Sequence, residues 1–202
     1  MEKSALEKLT RSVLKKVFIE IEASARHVHV TREQAIALFG HELTAKRPLS
    51  QPGQFLANER LAIRGPKGEF KNVAVLGPER KEAQIEVSLT DARALGLDVP
   101  IRPSGDIQGS PGIHLVGTRG TVQVMQGVIC AQRHIHMTPG DAKSMGVRDK
   151  QEVRLQVFTK RPLVFEDVQV RVSDKFDTYV HLDYDEANAC GWESGDLGRI
   201  LL

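Results

Sequence analysis

The chain has 202 residues, 41% of them hydrophobic, enough for one large or two small domains with an ordinary core. Its 28 basic and 26 acidic side chains leave a formal charge of +2, which argues against a nucleic-acid partner. No apolar run is long enough to cross a membrane and no secretory signal opens the chain, so a soluble, cytosolic protein is expected. Two cysteines, Cys130 and Cys190, are too few for a disulfide framework and are expected as small core residues.

Residues 1–20 are predicted as an amphipathic helix. Ala5, Leu6, Leu9, Val13, Leu14 and Val17 recur at helical spacing, with Glu2, Lys3, Lys8, Arg11, Lys15 and Lys16 mostly opposite. Two readings stand: a helix that docks on its own domain, or a short address that binds a partner surface.

The next feature is Arg26-His27-Val28-His29-Val30-Thr31, and it returns as Arg133-His134-Ile135-His136-Met137-Thr138. On a strand, alternate side chains share one face about 6.5–7 Å apart, so each pair of imidazoles can grip one metal ion. The repetition implies a duplicated scaffold with two metal sites. It extends further. Segments resembling the pattern acidic-Ala-x-x-apolar-Gly end at Gly40, Gly96, Gly146 and Gly191, each reading as one or two helical turns stopped by a glycine. Thr31, Thr90, Thr138 or Asp185 is expected to cap their starts.

Between these helices lie strand-like runs at 60–64, 73–76, 84–87, 121–124, 152–158, 168–172 and 178–182, bounded by Gly and Pro. Short strands with small helices predict a mainly β chain: two related β-barrel domains capped by helices, over residues 21–115 and 116–202. A doubly wound parallel sheet, which needs longer crossover helices, is not expected. The Gly/Pro/Ser-rich stretch from Pro103 to Gly112 marks a turn or crossing near the middle.

Aligning the halves identifies the third ligands. Glu86 precedes Thr90-Asp91-Ala92 by the distance at which His181 precedes Asp185-Glu186-Ala187. Each half then offers three groups: His27, His29 and Glu86, then His134, His136 and His181. Three protein ligands with an open position mark a catalytic rather than a structural metal site. Imidazole with carboxylate suits Zn²⁺, with Co²⁺, Ni²⁺ and Fe²⁺ also compatible. His41 and His114 lack such context and read as ordinary polar residues. Open metals favour a reaction at a carbonyl or phosphoryl oxygen. Arg80, six residues before Glu86, either clamps a phosphate at the mouth of the site or is a solvated surface arginine. Arg26 and Arg133 point away from the adjacent histidine and are expected in ion pairs that support the barrels.

At this point the chain resembles the PduL-type phosphotransacylases, or phosphate propanoyltransferases, of bacterial propanediol metabolism. The resemblance is carried by Arg26-His27-Val28-His29, Gln51-Pro52-Gly53-Gln54, Lys71-Asn72-Val73, Leu76-Gly77-Pro78, Arg80, Glu86-Val87-Ser88, Thr90-Asp91-Ala92-Arg93, Ser104-Gly105, Gly109-Ser110-Pro111-Gly112-Ile113, Gln132 to Met137 and Asp185 to Ala189, in the family's order. It implies transfer between acyl-CoA plus phosphate and acyl-phosphate plus CoA. It implies two zinc ions at the junction of two β-barrels, with coenzyme A as a substrate. It makes Arg80 the phosphate-binding arginine and puts Ser24, Leu76 and Asn188 near the CoA. Ala74 stands where the family often carries an arginine. The resemblance leaves acetyl and propanoyl open as acyl groups. Homo-oligomerisation and docking of residues 1–20 on microcompartment shell or cargo proteins stay open as well. Rival readings are a dinuclear zinc hydrolase of a phosphate ester or thioester, and a metal-stabilised adaptor.

Overall fold

The computed structural model describes Val13, Leu14 and residues 17–201, so most of the expected 1–20 helix lies outside the described residues. In chain order the elements are β1 (Ile19–Ser24), β2 (His27–His29), α1 (Arg32–Phe39), β3 (Ala45–Pro48), β4 (Phe55–Arg64), β5 (Glu69–Gly77), β6 (Gln84–Glu86), α2 (Leu89–Leu95), β7 (Ile101–Arg102), β8 (Ile113–Val116), β9 (Thr121–Val124) and β10 (Val128–Ala131). There follow β11 (His134–Met137), α3 (Pro139–Met145), β12 (Glu152–Phe158), β13 (Leu163–Val172), β14 (Tyr179–Asp183), α4 (Tyr184–Cys190) and β15 (Leu197–Leu201). The chain is mainly β, and among the described residues no helix is long and apolar enough to cross a membrane.

One compact unit comprises residues 24–132 and 183–185. Its nine strands form a sheet of order β7-β10-β6-β2-β5-β4-β8-β9, with β3 on β4. β2 runs antiparallel to β6 and parallel to β5. In β4 the inward set Ala57, Leu61 and Ile63 joins Val28, Val30, Val73, Val75 and Ile85 in the core. Leu38 of α1 and Leu95 of α2 close over it, both fully buried. Thr31 caps α1 in a reciprocal box with Gln34, and Gly40 ends the helix at φ 85°, a left-handed conformation that glycine adopts without steric cost. Ser88, rather than the expected Thr90, caps α2: its hydroxyl accepts from the Asp91 N–H. Thr90 instead donates its backbone N–H to Asp185 Oδ2 at 2.8 Å, and Asp185 lies inside α4 rather than before it.

The other unit comprises the described residues up to Ala23, residues 133–182 and residues 186–201. It is a closed barrel of order β1-β14-β11-β13-β12-β15. Along β12, Val153, Leu155 and Val157 point inward and alternate with the more exposed Glu152, Arg154, Gln156 and Phe158, the period of two that a half-buried strand requires. They meet Ile135, Met137, Val168, Val170, Val180 and Leu182. Here β11 repeats the placing of β2, antiparallel to β14 and parallel to β13. Thr138 caps α3, with Pro139 at its start and Gly146 at its end.

These units depart from the expected bounds of 21–115 and 116–202. β1 pairs with β15, Ile19 opposite Gly198, so the first strand completes the barrel built from the last third of the chain. β10 adds to β6 in the nine-stranded sheet, beyond the expected boundary. Both pairings join segments far apart in sequence, which local periodicity does not report. Both thiols are buried and unbridged, as expected; Cys130 Sγ lies 3.2 Å from Asp183 Oδ2.

Candidate metal centres

Strand pairing builds each centre. In the nine-stranded sheet the β2–β6 register sets His27 opposite Glu86 and His29 opposite Gln84. Directly opposed residues on one face bring their side chains together. Alternation along β2 then adds His29 to the same face. In the closed barrel the β11–β14 register sets His134 opposite His181, and His136 two residues on. In each triad one ligand atom per residue lies within 4.8 Å of the others. The equivalence of Glu86 and His181 read from spacing is thus reproduced as the same register position in two strand pairs.

The first triad is buried, His29 to 2% exposure. His27 Nδ1 donates to the Ala25 carbonyl at 2.8 Å and His29 Nδ1 to the Leu76 carbonyl at 3.2 Å. A carbonyl oxygen only accepts, so these bonds put the proton on Nδ1 and leave Nε2 as the donor atom of each ring. Main-chain carbonyls that orient ligating imidazoles are the usual support of a metal centre. His27 Nε2 lies 3.5 Å from Glu86 Oε2. The other carboxylate oxygen, Oε1, accepts from Gln84 Nε2 at 2.6 Å and from the Ser104 hydroxyl at 2.8 Å. Two Nε2 atoms and one carboxylate oxygen therefore converge, a donor set that fits Zn²⁺.

The charges of the triad are linked through His27. Burial would raise the Glu86 carboxyl, but attraction and hydrogen bonding from His27 hold it well below the usual carboxylate range. Burial works against a charged His27, yet Glu86 lifts it above the ordinary histidine value. Burial, then repulsion from His27 and Arg80, pushes His29 well below that value and keeps it neutral. Arg80 acts electrostatically on both imidazoles. It is held there through the main chain: its N–H donates to the Val30 carbonyl just past β2, at 2.9 Å. The half-buried Arg80 thus sits in the β5–β6 loop beside the first triad.

In the second triad the three rings pack against one another with centroids 4.6–5.0 Å apart. Phe176, in the β13–β14 loop, stacks on His136 at 4.0 Å. Glu22 Oε2 lies 3.8 Å from His181 Nδ1. Three imidazoles with a carboxylate nearby also fit Zn²⁺.

Arg26 and Arg133 turn away from the rings, as expected. Arg26 makes a bidentate pair with Asp91 of α2, 2.9 and 2.7 Å, and lies over the Phe70 ring. Arg133 pairs with Glu186 of α4 through Nη1 at 2.9 Å, donates from Nε to the Glu166 carbonyl at 2.6 Å, and lies 5.8 Å from the Phe165 ring centroid. Of the three residues expected near CoA, the Ser24 hydroxyl lies 3.5 Å from His27 Nδ1, Leu76 presents its carbonyl to His29, and Asn188 is exposed on α4. Gln84 was missed by sequence reasoning. Its signal was available: two residues before a candidate carboxylate on a strand, it shares that residue's face. His41 and His114 lie outside both triads, both exposed.

A family model described as phosphate propanoyltransferase matches residues 20–193. The chain is 51% identical over 200 residues to the phosphate propanoyltransferase of Listeria monocytogenes, covering 98% of this chain and 94% of that one. It is 53% identical over 184 residues to that of Enterococcus faecalis, covering 90% and 87%. With that of Thermotoga maritima it shares 49% identity over 186 residues, covering 91% and 89%.

Proposed function

The chain belongs to the phosphate propanoyltransferase family and is an acyltransferase; from that premise we propose that it interconverts propanoyl-CoA plus phosphate with propanoyl-phosphate plus CoA. We assign one zinc ion to His27, His29 and Glu86 and a second to His134, His136 and His181. The observation that carries the reading is the buried triad of metal-type ligands with Arg80 beside it: the Arg80 N–H donates to the Val30 carbonyl just past β2, and its charge bears on His27 and His29. Bound zinc with a vacant position supplies Lewis acidity toward phosphoryl and carbonyl oxygens.

The remaining chemistry falls to the chain. Arg80 pairs bidentately with phosphate, which fixes the anion and orients one oxygen for attack. That oxygen adds to the thioester carbonyl carbon; the C–S bond then breaks, CoA leaves as the thiolate, and the proton that hydrogen phosphate sheds to solvent balances the one the thiolate takes up. In reverse the thiolate attacks the acyl-phosphate carbonyl and phosphate departs. Transfer is direct, with no acylated residue: Ser24, whose hydroxyl lies 3.5 Å from His27 Nδ1, finds no base there, because that nitrogen carries the proton given to the Ala25 carbonyl. Ser24, Leu76 and Asn188 are assigned to the CoA side.

The test follows CoA release from propanoyl-CoA and acetyl-CoA, with and without phosphate, and metal content on the same sample. Phosphate-dependent CoA release with two zinc ions per chain is expected. Phosphate-independent release would make the protein a hydrolase and overturn the reading. Arg80→Ala should raise the KM for phosphate by at least about 10-fold, the scale of one lost charge-assisted bidentate contact, and leave the zinc content unchanged. Zinc loss in that variant would show that Arg80 supports the metal instead.

A further inference from the structure

The two triads differ in one ligand, and the chain treats that ligand differently. An imidazole offers one nitrogen once its other nitrogen is hydrogen-bonded. A carboxylate offers two equivalent oxygens and can swing between them. Around Glu86 this freedom is removed. Gln84 is buried to 2% exposure and uses both ends of its amide. Its Oε1 accepts from the Gly105 N–H at 2.8 Å, which fixes which end of the amide is which. Its Nε2 therefore faces Glu86 and donates to Oε1 at 2.6 Å, with a second contact to Ser104 Oγ at 2.8 Å. Ser104 donates to the same Glu86 oxygen. Oε1 is thus held by two donors, and Oε2 alone faces His27. The position equivalent to Gln84 in the closed barrel is Tyr179, opposite His136 as Gln84 is opposite His29. There the third ligand is an imidazole, and no amide stands at that place.

We infer that Gln84 and Ser104 form a carboxylate clamp that makes Glu86 a one-oxygen metal ligand and sets the zinc affinity of the first triad. Gln84 touches neither phosphate nor acyl group; it is a positioning residue, acting through Glu86. The clamp also ties the Pro103–Gly105 turn to the triad, since that turn supplies both Ser104 and the Gly105 N–H. This rests on the assignment of zinc to the triad.

The experiment is zinc competition against a chromophoric chelator, read as the number of ions retained and the chelator concentration that removes each. The unmodified chain should retain two. Gln84→Leu keeps the bulk and removes the donor; it should release one ion at about 10–100-fold lower chelator strength and hold the other as before, the range found when a partner of a metal ligand is removed. Ser104→Ala, a milder change at a partly exposed turn, should weaken the same ion, and Ser104→Thr should restore it. In Co²⁺-loaded protein, Gln84→Leu should shift the visible absorption of one ion only, a signature that a loss of packing alone does not produce. Two ions held as tightly in Gln84→Leu and Ser104→Ala as in the unmodified chain would overturn the clamp. An unmodified chain that takes up no zinc would overturn the metal assignment itself, and the clamp with it.

Discussion

At the scale of single residues, burial decides which charges matter. Arg26 and Asp91 make two short hydrogen bonds, and the Asp91 side chain is only 8% exposed. Removing the arginine leaves a buried carboxylate without the fork that compensates its desolvation, so Arg26→Ala should cost about 2–3 kcal/mol in urea unfolding. Arg64 and Glu69 make an equally short contact, 2.7 Å, but the arginine side chain is 57% exposed. Water screens that pair, and Arg64→Ala should cost less than about 1 kcal/mol in the same measurement. Equal losses would mean that geometry rather than solvation sets the contribution. Arg133→Ala should resemble Arg26→Ala, because Glu186 is likewise largely buried, at 17% exposure.

At the scale of elements, the helices turn on single caps. Ser88 is 5% exposed and its hydroxyl accepts from the N–H of Asp91, the third residue of α2, whereas Thr90 sits exposed within the helix. Ser88→Ala should therefore cost about 1 kcal/mol and Thr90→Ala less than about 0.5 kcal/mol, compared by urea midpoint at constant slope. A reversed order would restore Thr90 as the cap. Both residues carry a hydroxyl and both precede an Asp-Ala pair, so composition does not separate them; the backbone angle at Ser88 does. Much else at this scale was legible. The strands at 121–124 and 152–158 fall where apolar alternation puts them, and the two His-x-His strands share a face with Glu86 and His181 because spacing to the next helix is preserved in both halves. Pairings between distant segments were not legible. β3 carries Lys46, Arg47 and Pro48, all exposed, with no inward face to signal a strand. Nothing in residues 19–24 names β15 as their neighbour. Gln84 was legible in part: its place two residues before Glu86 puts it on the ligand face, whereas its bonds to Ser104 and Gly105 depend on where that turn lies, which only the folded chain reveals.

At the scale of the whole molecule, the question is whether metal builds the fold or only equips it. Each unit has its own apolar core: Val28, Leu38, Ile63, Val75, Ile85 and Leu115 are fully buried in one, Ile135, Met137, Leu155, Val168, Val170 and Val180 in the other. Burial of each such side chain contributes about 1.5–3 kcal/mol, so either core supplies far more gross stabilisation than a bound ion, which at a thousand times its dissociation constant adds about 4 kcal/mol. The strand registers that assemble the triads are set by backbone ladders and these cores, with the histidines arriving as passengers. Exhaustive chelation should therefore abolish CoA release and leave the far-ultraviolet β spectrum at 25 °C unchanged, while lowering the unfolding temperature by roughly 15–30 °C, since two ions contribute about 8 kcal/mol and 1 kcal/mol moves the midpoint of a chain this long by about 2–4 °C. Added Zn²⁺ should return both activity and midpoint. A spectrum that collapses on chelation would mean that the cores do not suffice, and that the adaptor-like dependence on metal describes this chain better than a preformed catalytic scaffold.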